Sequence, residues 1–289
     1  AWQDISDAVM QDFPASEHLD HTIAALHTFE SLPTQILLTI ATDPDVGGRM
    51  TSILEHQSSD IRRTAIRCLS SAWLRVWYSL AAGELRLAPF DEENEDNESV
   101  VRQHTCDRVV AIWKAIVALC TSDDDDAVAA AAFRAMEMLF DAGCLSEGSS
   151  SPRPEQEQQG SSSPPSSSPS SPSSSSPPSP PSPPQPVALE LTLRVFKAMG
   201  GRVYSLAARM RSLSGHHLSQ AILGMTAFYV LAISSGSTVR VEGSAKDVDP
   251  TDLAETFAQT ALLPMLGAIN TEVQLAAAMS TQRLARLMG

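Results

Sequence analysis

Residues 54–73 read LEHQSSDIRRTAIRCLSSAW. A polar break, Gln57-Ser58-Ser59-Asp60, precedes a run in which Ile61, Ala65, Leu69, Ala72 and Trp73 fall on one helical face. Hydroxyl and acidic residues cap and complement a helix N-terminus. Ile61 then anchors the first turn. Ala65, one turn on, leaves room for a neighbouring helix to approach closely. The stretch therefore predicts a capped helix that buries Ile61, Ala65 and Leu69.

The pattern returns twice. AVAAAAFRAMEMLF begins at Ala127-Val128 and EVQLAAAMSTQRLA at Glu272-Val273. In each, a polar or acidic turn precedes a β-branched residue, and Ala follows four residues later, at Ala132 and Ala277. Leu139 and Leu284 close the far ends where the first copy has Ala72. This resembles the second helix of a HEAT repeat, and Asp60-Ile61-Arg62-Arg63-Thr64-Ala65 is the nearest match. The other two copies lack its arginine, and the intervals depart from a strict period of about 40 residues. The resemblance implies antiparallel helix pairs stacked as a short HEAT/armadillo-like α-solenoid, and a role in binding other proteins. A non-repeating helical domain is the alternative.

A second resemblance is local. Leu32-Pro33, Leu38, Gly47, His56, Ile61-Arg62, Ala65 and Trp73 follow the order found in the N-terminal domain of transcription elongation factor S-II. It implies a compact bundle over residues 15–80 that docks short motifs of partner proteins. Pro44-Asp45-Val46-Gly47 departs from that family's Thr-x-Ile-Gly, and the segment holds no lysine.

Composition agrees with an all-α chain. Of 289 residues, 43% are hydrophobic and only 5% aromatic, with Ala and Leu supplying most of the apolar content. The formal net charge of −14 argues against a broad nucleic-acid surface, which needs clustered Lys and Arg. Cys68, Cys106, Cys120 and Cys144 form no CxxC pair and sit in apolar helical patterns. They read as reduced packing thiols of an intracellular protein, cytoplasmic or nuclear. The chain opens Ala1-Trp2-Gln3 without an initiator Met, as a segment of a longer protein would. The longest apolar run, Ala221 to Ile233, is short for a bilayer span and reads as a buried helix.

Two interruptions divide the chain. Residues 148–186 are almost entirely Ser, Pro, Gln and Gly, too poor in apolar side chains to offset the entropy of ordering. They read as a disordered insertion whose Ser-Pro steps offer phosphorylation sites. It separates a helical segment over 1–147 from one over 187–289 that continues the same array. Within the first, PFDEENEDNES (Pro89 to Ser99) reads as an acidic loop. STVRVEG (Ser237 to Gly243) reads as a loop or a lone strand.

Motifs for chemistry are sparse. His18 and His21 stand three apart, with Glu17 and Asp20 beside them, but no further ligand follows at metal-site spacing. His216-His217 are adjacent and so point apart on a helix. Gly47-Gly48 and Gly200-Gly201 lack the frame of a phosphate loop, and no G-x-S-x-G occurs. The run Asp123 to Asp126 fits complementation of a helix dipole. Arg62 and Arg63, with the basic region Lys197, Arg202, Arg209 and Arg211, are the candidate interaction residues. The sequence thus points to a non-enzymatic scaffold or adaptor that binds proteins. It suggests no catalytic residue, metal, cofactor, membrane span or direct nucleic-acid contact.

Overall fold

The computed structural model describes residues 19–43, 45–81, 95–145, 187–241 and 247–289. The Ser/Pro segment, Ser16, Glu17, His18, Gly83 and residues 89–94 of the acidic stretch lie outside the described residues. What is described is mostly helical: α1 (Leu19–Ser31), α2 (Thr34–Thr42), α3 (Val46–Leu54), α4 (Ser59–Ala81), α5 (Glu95–Ser122) and α6 (Asp126–Leu145). Beyond the Ser/Pro segment come α7 (Val187–Met199), a 3₁₀ turn over Gly200–Arg202, α8 (Val203–Ser212) and α9 (Gly215–Ser234). A short hairpin, α10 (Pro250–Phe257) and α11 (Thr271–Met288) complete the order.

Caps set several of the starts. Asp125 accepts hydrogen bonds from the backbone N–H groups of Ala127 and Val128 (2.9 and 3.1 Å) and so starts α6. Asn270 does the same for α11, accepting from Glu272 and Val273. Asp249 accepts from Thr251 ahead of α10, which carries Pro250 in its first turn. Pro33 fixes an extended backbone just ahead of α2.

Three sequence expectations change. The acidic stretch is not loop through Ser99: α5 already begins at Glu95, where acidic residues suit a helix N-terminus. The extended patch is not a lone strand. β1 (Val239–Arg240) pairs antiparallel with β2 (Asp247–Val248), a partner too short to show as a pattern. The apolar run 221–233 belongs to the 20-residue α9, which by length and composition could cross a membrane. Most of it is buried inside the fold between α6 and α11. In addition, α10 runs into a π-helical turn, Ala258–Leu262, and one α turn, Leu263–Met265. Pro264 lacks an N–H and crowds the carbonyl a turn earlier, which forces the wider turn.

The packing order is simple. α4 packs on α6, α6 on α9 and α9 on α11. α1 and α3 flank α4, α5 flanks α6, and α7 lies against α5 and α6. One contiguous hydrophobic core runs from Leu26 to Leu284 and crosses both sides of the Ser/Pro segment.

The first three of these serial helices run in one direction. At their starts, Ser59 of α4 bonds the carboxylate of Asp125 just ahead of α6. Midway, Gly224 of α9 meets the Phe133 carbonyl of α6. At their ends, Phe140 of α6 and Phe228 of α9 bring their rings to 6.1 Å. Between α9 and α11 the starts also meet, through His216 Nδ1 and Glu272 Oε2 at 3.0 Å.

The recurring helix pattern maps onto this series. Ile61, Val128 and Val273 are buried in first turns, and Ala65, Ala132 and Ala277 are fully buried one turn later. α9, between α6 and α11, has small buried residues at matching places. Ala221 takes the buried alanine position, while His217 stands where the others have Ile or Val. Three residues past each alanine lies a buried small residue: Cys68, Ala135, Gly224 and Ser280. A buried Ala72, Leu139, Phe228 or Leu284 follows four further on.

Candidate functional site

Small residues on consecutive helices let the backbones approach, and the side chains next to them then line a shared groove. On α4 the groove side carries Arg63, Thr64, Arg67 and Ser71; on α6 it carries Ala131, Arg134 and Met138. The first turns of α9 close one end with His216, His217 and Gln220. The groove encloses about 480 Å³. Its floor is alanine and methionine and its rim is arginine and histidine.

The rim is held in place by local pairs. Arg63 Nη2 donates to Asp60 at 2.8 Å, and Arg134 pairs with Glu137. Both arginine side chains remain about half exposed, at 53% and 52%. Each engages its carboxylate through one terminal nitrogen, and guanidinium carries five N–H donors. The geometry can therefore present further donors to an anionic group. His216 Nε2 accepts from Gln220 Nε2 (2.7 Å), and its Nδ1 lies 3.0 Å from Glu272 Oε2.

The residues singled out from sequence divide into four groups. Arg63 belongs to the groove. Arg62 and Arg209 are brought together, but as internal clamps on one turn. Arg62 Nε and Nη2 donate to the two carboxylate oxygens of Asp123 (2.6 and 2.9 Å), and its Nη1 donates to the carbonyls of His56 and Gln57. That hydrogen bonding to Asp123 raises the Arg62 pKa above its ordinary value. From the other side, Arg209 donates to the carbonyls of Asp123 and Asp124 and pairs with Asp126 at 3.0 Å. The run Asp123 to Asp126 is thus more than dipole complementation: it joins α4, α6 and α8 through specific bonds. Arg202 lines a smaller cleft of about 210 Å³ between α5 and the α7–α8 region, opposite Lys114. Lys197 and Arg211 are exposed and lie in neither cavity.

Sequence reasoning missed Arg67, Arg134 and the two α9 histidines as groove residues. Arg63 and Arg67 stand one turn apart, a signal that was available. The placement of α9 beside α6 was not, because the sequence between them is long and His217 stands where the other helices have Ile or Val.

A second cluster lies on the other flank of α4. His27 and Glu30, three apart on α1, meet Cys68 of α4. Cys68 Sγ donates to Glu30 Oε2 at 3.3 Å and lies 3.7 Å from His27 Nδ1, which is 3.6 Å from the same carboxylate oxygen. Burial, and then Glu30, push the thiol up to about 12. Cys106 and Cys120 are buried as well, and burial raises both.

No family model matches the chain, and no curated protein matches it.

Proposed function

We propose that the chain is a non-enzymatic protein-binding scaffold segment built as HEAT-like helix pairs, and that the groove across α4, α6 and α9 takes an anionic peptide. The observation that carries this reading is one groove crossing three serial helices with three arginines, Arg63, Arg67 and Arg134, on it. Stacked helix pairs expose such continuous faces and bind extended partners along them. On a chain of net charge −14, a local arginine rim selects a carboxylate- or phosphate-bearing segment. The exposed apolar residues Leu275 and Met279, one turn apart on α11, support the same reading, because stacked pairs cover such faces with a neighbour. A self-contained docking domain over residues 15–80 is less favoured, because Trp77 of α4 packs its ring edge-on against Trp113 of α5 at 6.4 Å.

The test is fluorescence anisotropy of the full chain with labelled Asp/Glu-rich and Lys-rich peptides of equal length. The acidic peptide binds, more weakly as salt rises, and the basic one does not. Arg63→Glu with Arg134→Glu, both at exposed positions, weakens acidic-peptide binding at least about tenfold while helicity is kept. Equal binding by wild type and double variant overturns the groove assignment.

A further inference from the structure

The cluster on the far flank of α4 has the shape of a metal site. Tetrahedral zinc holds thiolate at about 2.3 Å and imidazole or carboxylate at about 2.0–2.2 Å, so ligand atoms in one shell lie about 3.3–3.6 Å apart. The three edges here, Sγ to Oε2, Oε2 to Nδ1 and Sγ to Nδ1, are 3.3, 3.6 and 3.7 Å. We propose that His27 Nδ1, Glu30 Oε2 and Cys68 Sγ bind one zinc-class divalent cation, with a fourth position open to water.

The donor set fits a borderline-soft ion: one thiolate, one imidazole, one carboxylate. Access fits too. Cys68 forms the buried base of the site, whereas the His27 side chain is 47% exposed and that of Glu30 31%. The helix register fixes the geometry, since His27 and Glu30 share a face of α1 and Cys68 is locked in the core of α4. Without metal, the Cys68 thiol keeps its proton and donates it to Glu30. On binding, that proton leaves to solvent and the cation takes its place between the two groups. Arg67 Nη2 stands 3.3 Å from His27 Nε2. Once Nδ1 ligates, Nε2 carries the proton, so the exposed Arg67 side chain turns away into solvent.

The probe is Co(II), added to the reduced, tag-free full chain. The expected result is a near-ultraviolet thiolate-to-cobalt charge-transfer band that saturates at one equivalent and disappears when Zn(II) is added. Cys68→Ser loses the band. His27→Ala and Glu30→Gln, on the partly exposed face of α1, each weaken binding at least about tenfold. Absence of the band with excess cobalt overturns the proposal. So does a band that persists in Cys68→Ser, which assigns it to Cys106, Cys120 or Cys144. Should Cys68→Ser fail to fold, unchanged affinity in both His27→Ala and Glu30→Gln overturns it equally.

Discussion

At the scale of single residues, Gly224 makes the closest backbone approach among the described glycines. A Cβ built there would stand 2.5 Å from the Phe133 carbonyl oxygen, a backbone atom that cannot swing aside. Cys68, Ala135 and Ser280 occupy the same place on α4, α6 and α11, so the series needs small side chains at its crossings and needs glycine where α6 and α9 meet. Gly224→Ala should therefore destabilise the chain by about 1–3 kcal/mol, against the usual gain from replacing a helical glycine. A denaturant titration of both proteins gives the value, and a more stable variant would show that α6 and α9 can separate at little cost. The alanines at 65, 132 and 277 were legible from sequence because an aliphatic residue marks each helix start. Gly224 was not, because a glycine within an apolar helix shows no sign of what it touches.

At the scale of elements, the turn between α5 and α6 does the joining. Asp123 answers Arg62 and also accepts from the Asp125 N–H (2.9 Å), while Asp125 caps α6 and bonds Ser59 of α4. The backbone N–H of Val128, first among these contacts, holds the Asp125 carboxyl below its ordinary pKa. A depressed carboxylate contributes stability above its unfolded value, about 3.9, and loses it as pH falls through the lower folded value. Asp125→Ala should cost about 1 kcal/mol at neutral pH, with the gap to wild type closing below about pH 4. Thermal midpoints measured from pH 3 to 7 check both statements, and a pH-independent gap would assign the loss to something other than the ionised cap. The helices and their order were legible from periodicity and turn residues. The clamps were not, since Arg62 and Arg209 reach the same turn from positions 61 and 86 or 85 residues away. The metal cluster was hidden for a related reason: two of its members advertise themselves by spacing, and the third is 38 residues on from Glu30.

At the scale of the whole molecule, several arginines act inward. Arg75 donates to the carbonyls of Glu30 and Leu32 at the end of α1, Arg108 to those of Ala41 and Thr42 at the end of α2, and Arg283 pairs with Asp141 across α6 and α11. Each ties an element to one distant in sequence, in the same direction as the hydrophobic core. On the proposed reading of stacked helix pairs, stability is nearest-neighbour, each helix depending on the next. Truncation after residue 83 separates the two readings of the first 80 residues. It strips α4 of α6 and exposes Trp77, now buried against Trp113. An array fragment should then lose its sigmoidal thermal transition and bind a hydrophobic dye, because its remaining core was completed by the next helices. A docking domain of the elongation-factor type should keep a sharp transition and stay dye-silent. The packing of α4 on α6 and of Trp77 on Trp113 favours the first outcome, and extending the fragment to residue 147 should then restore part of the transition.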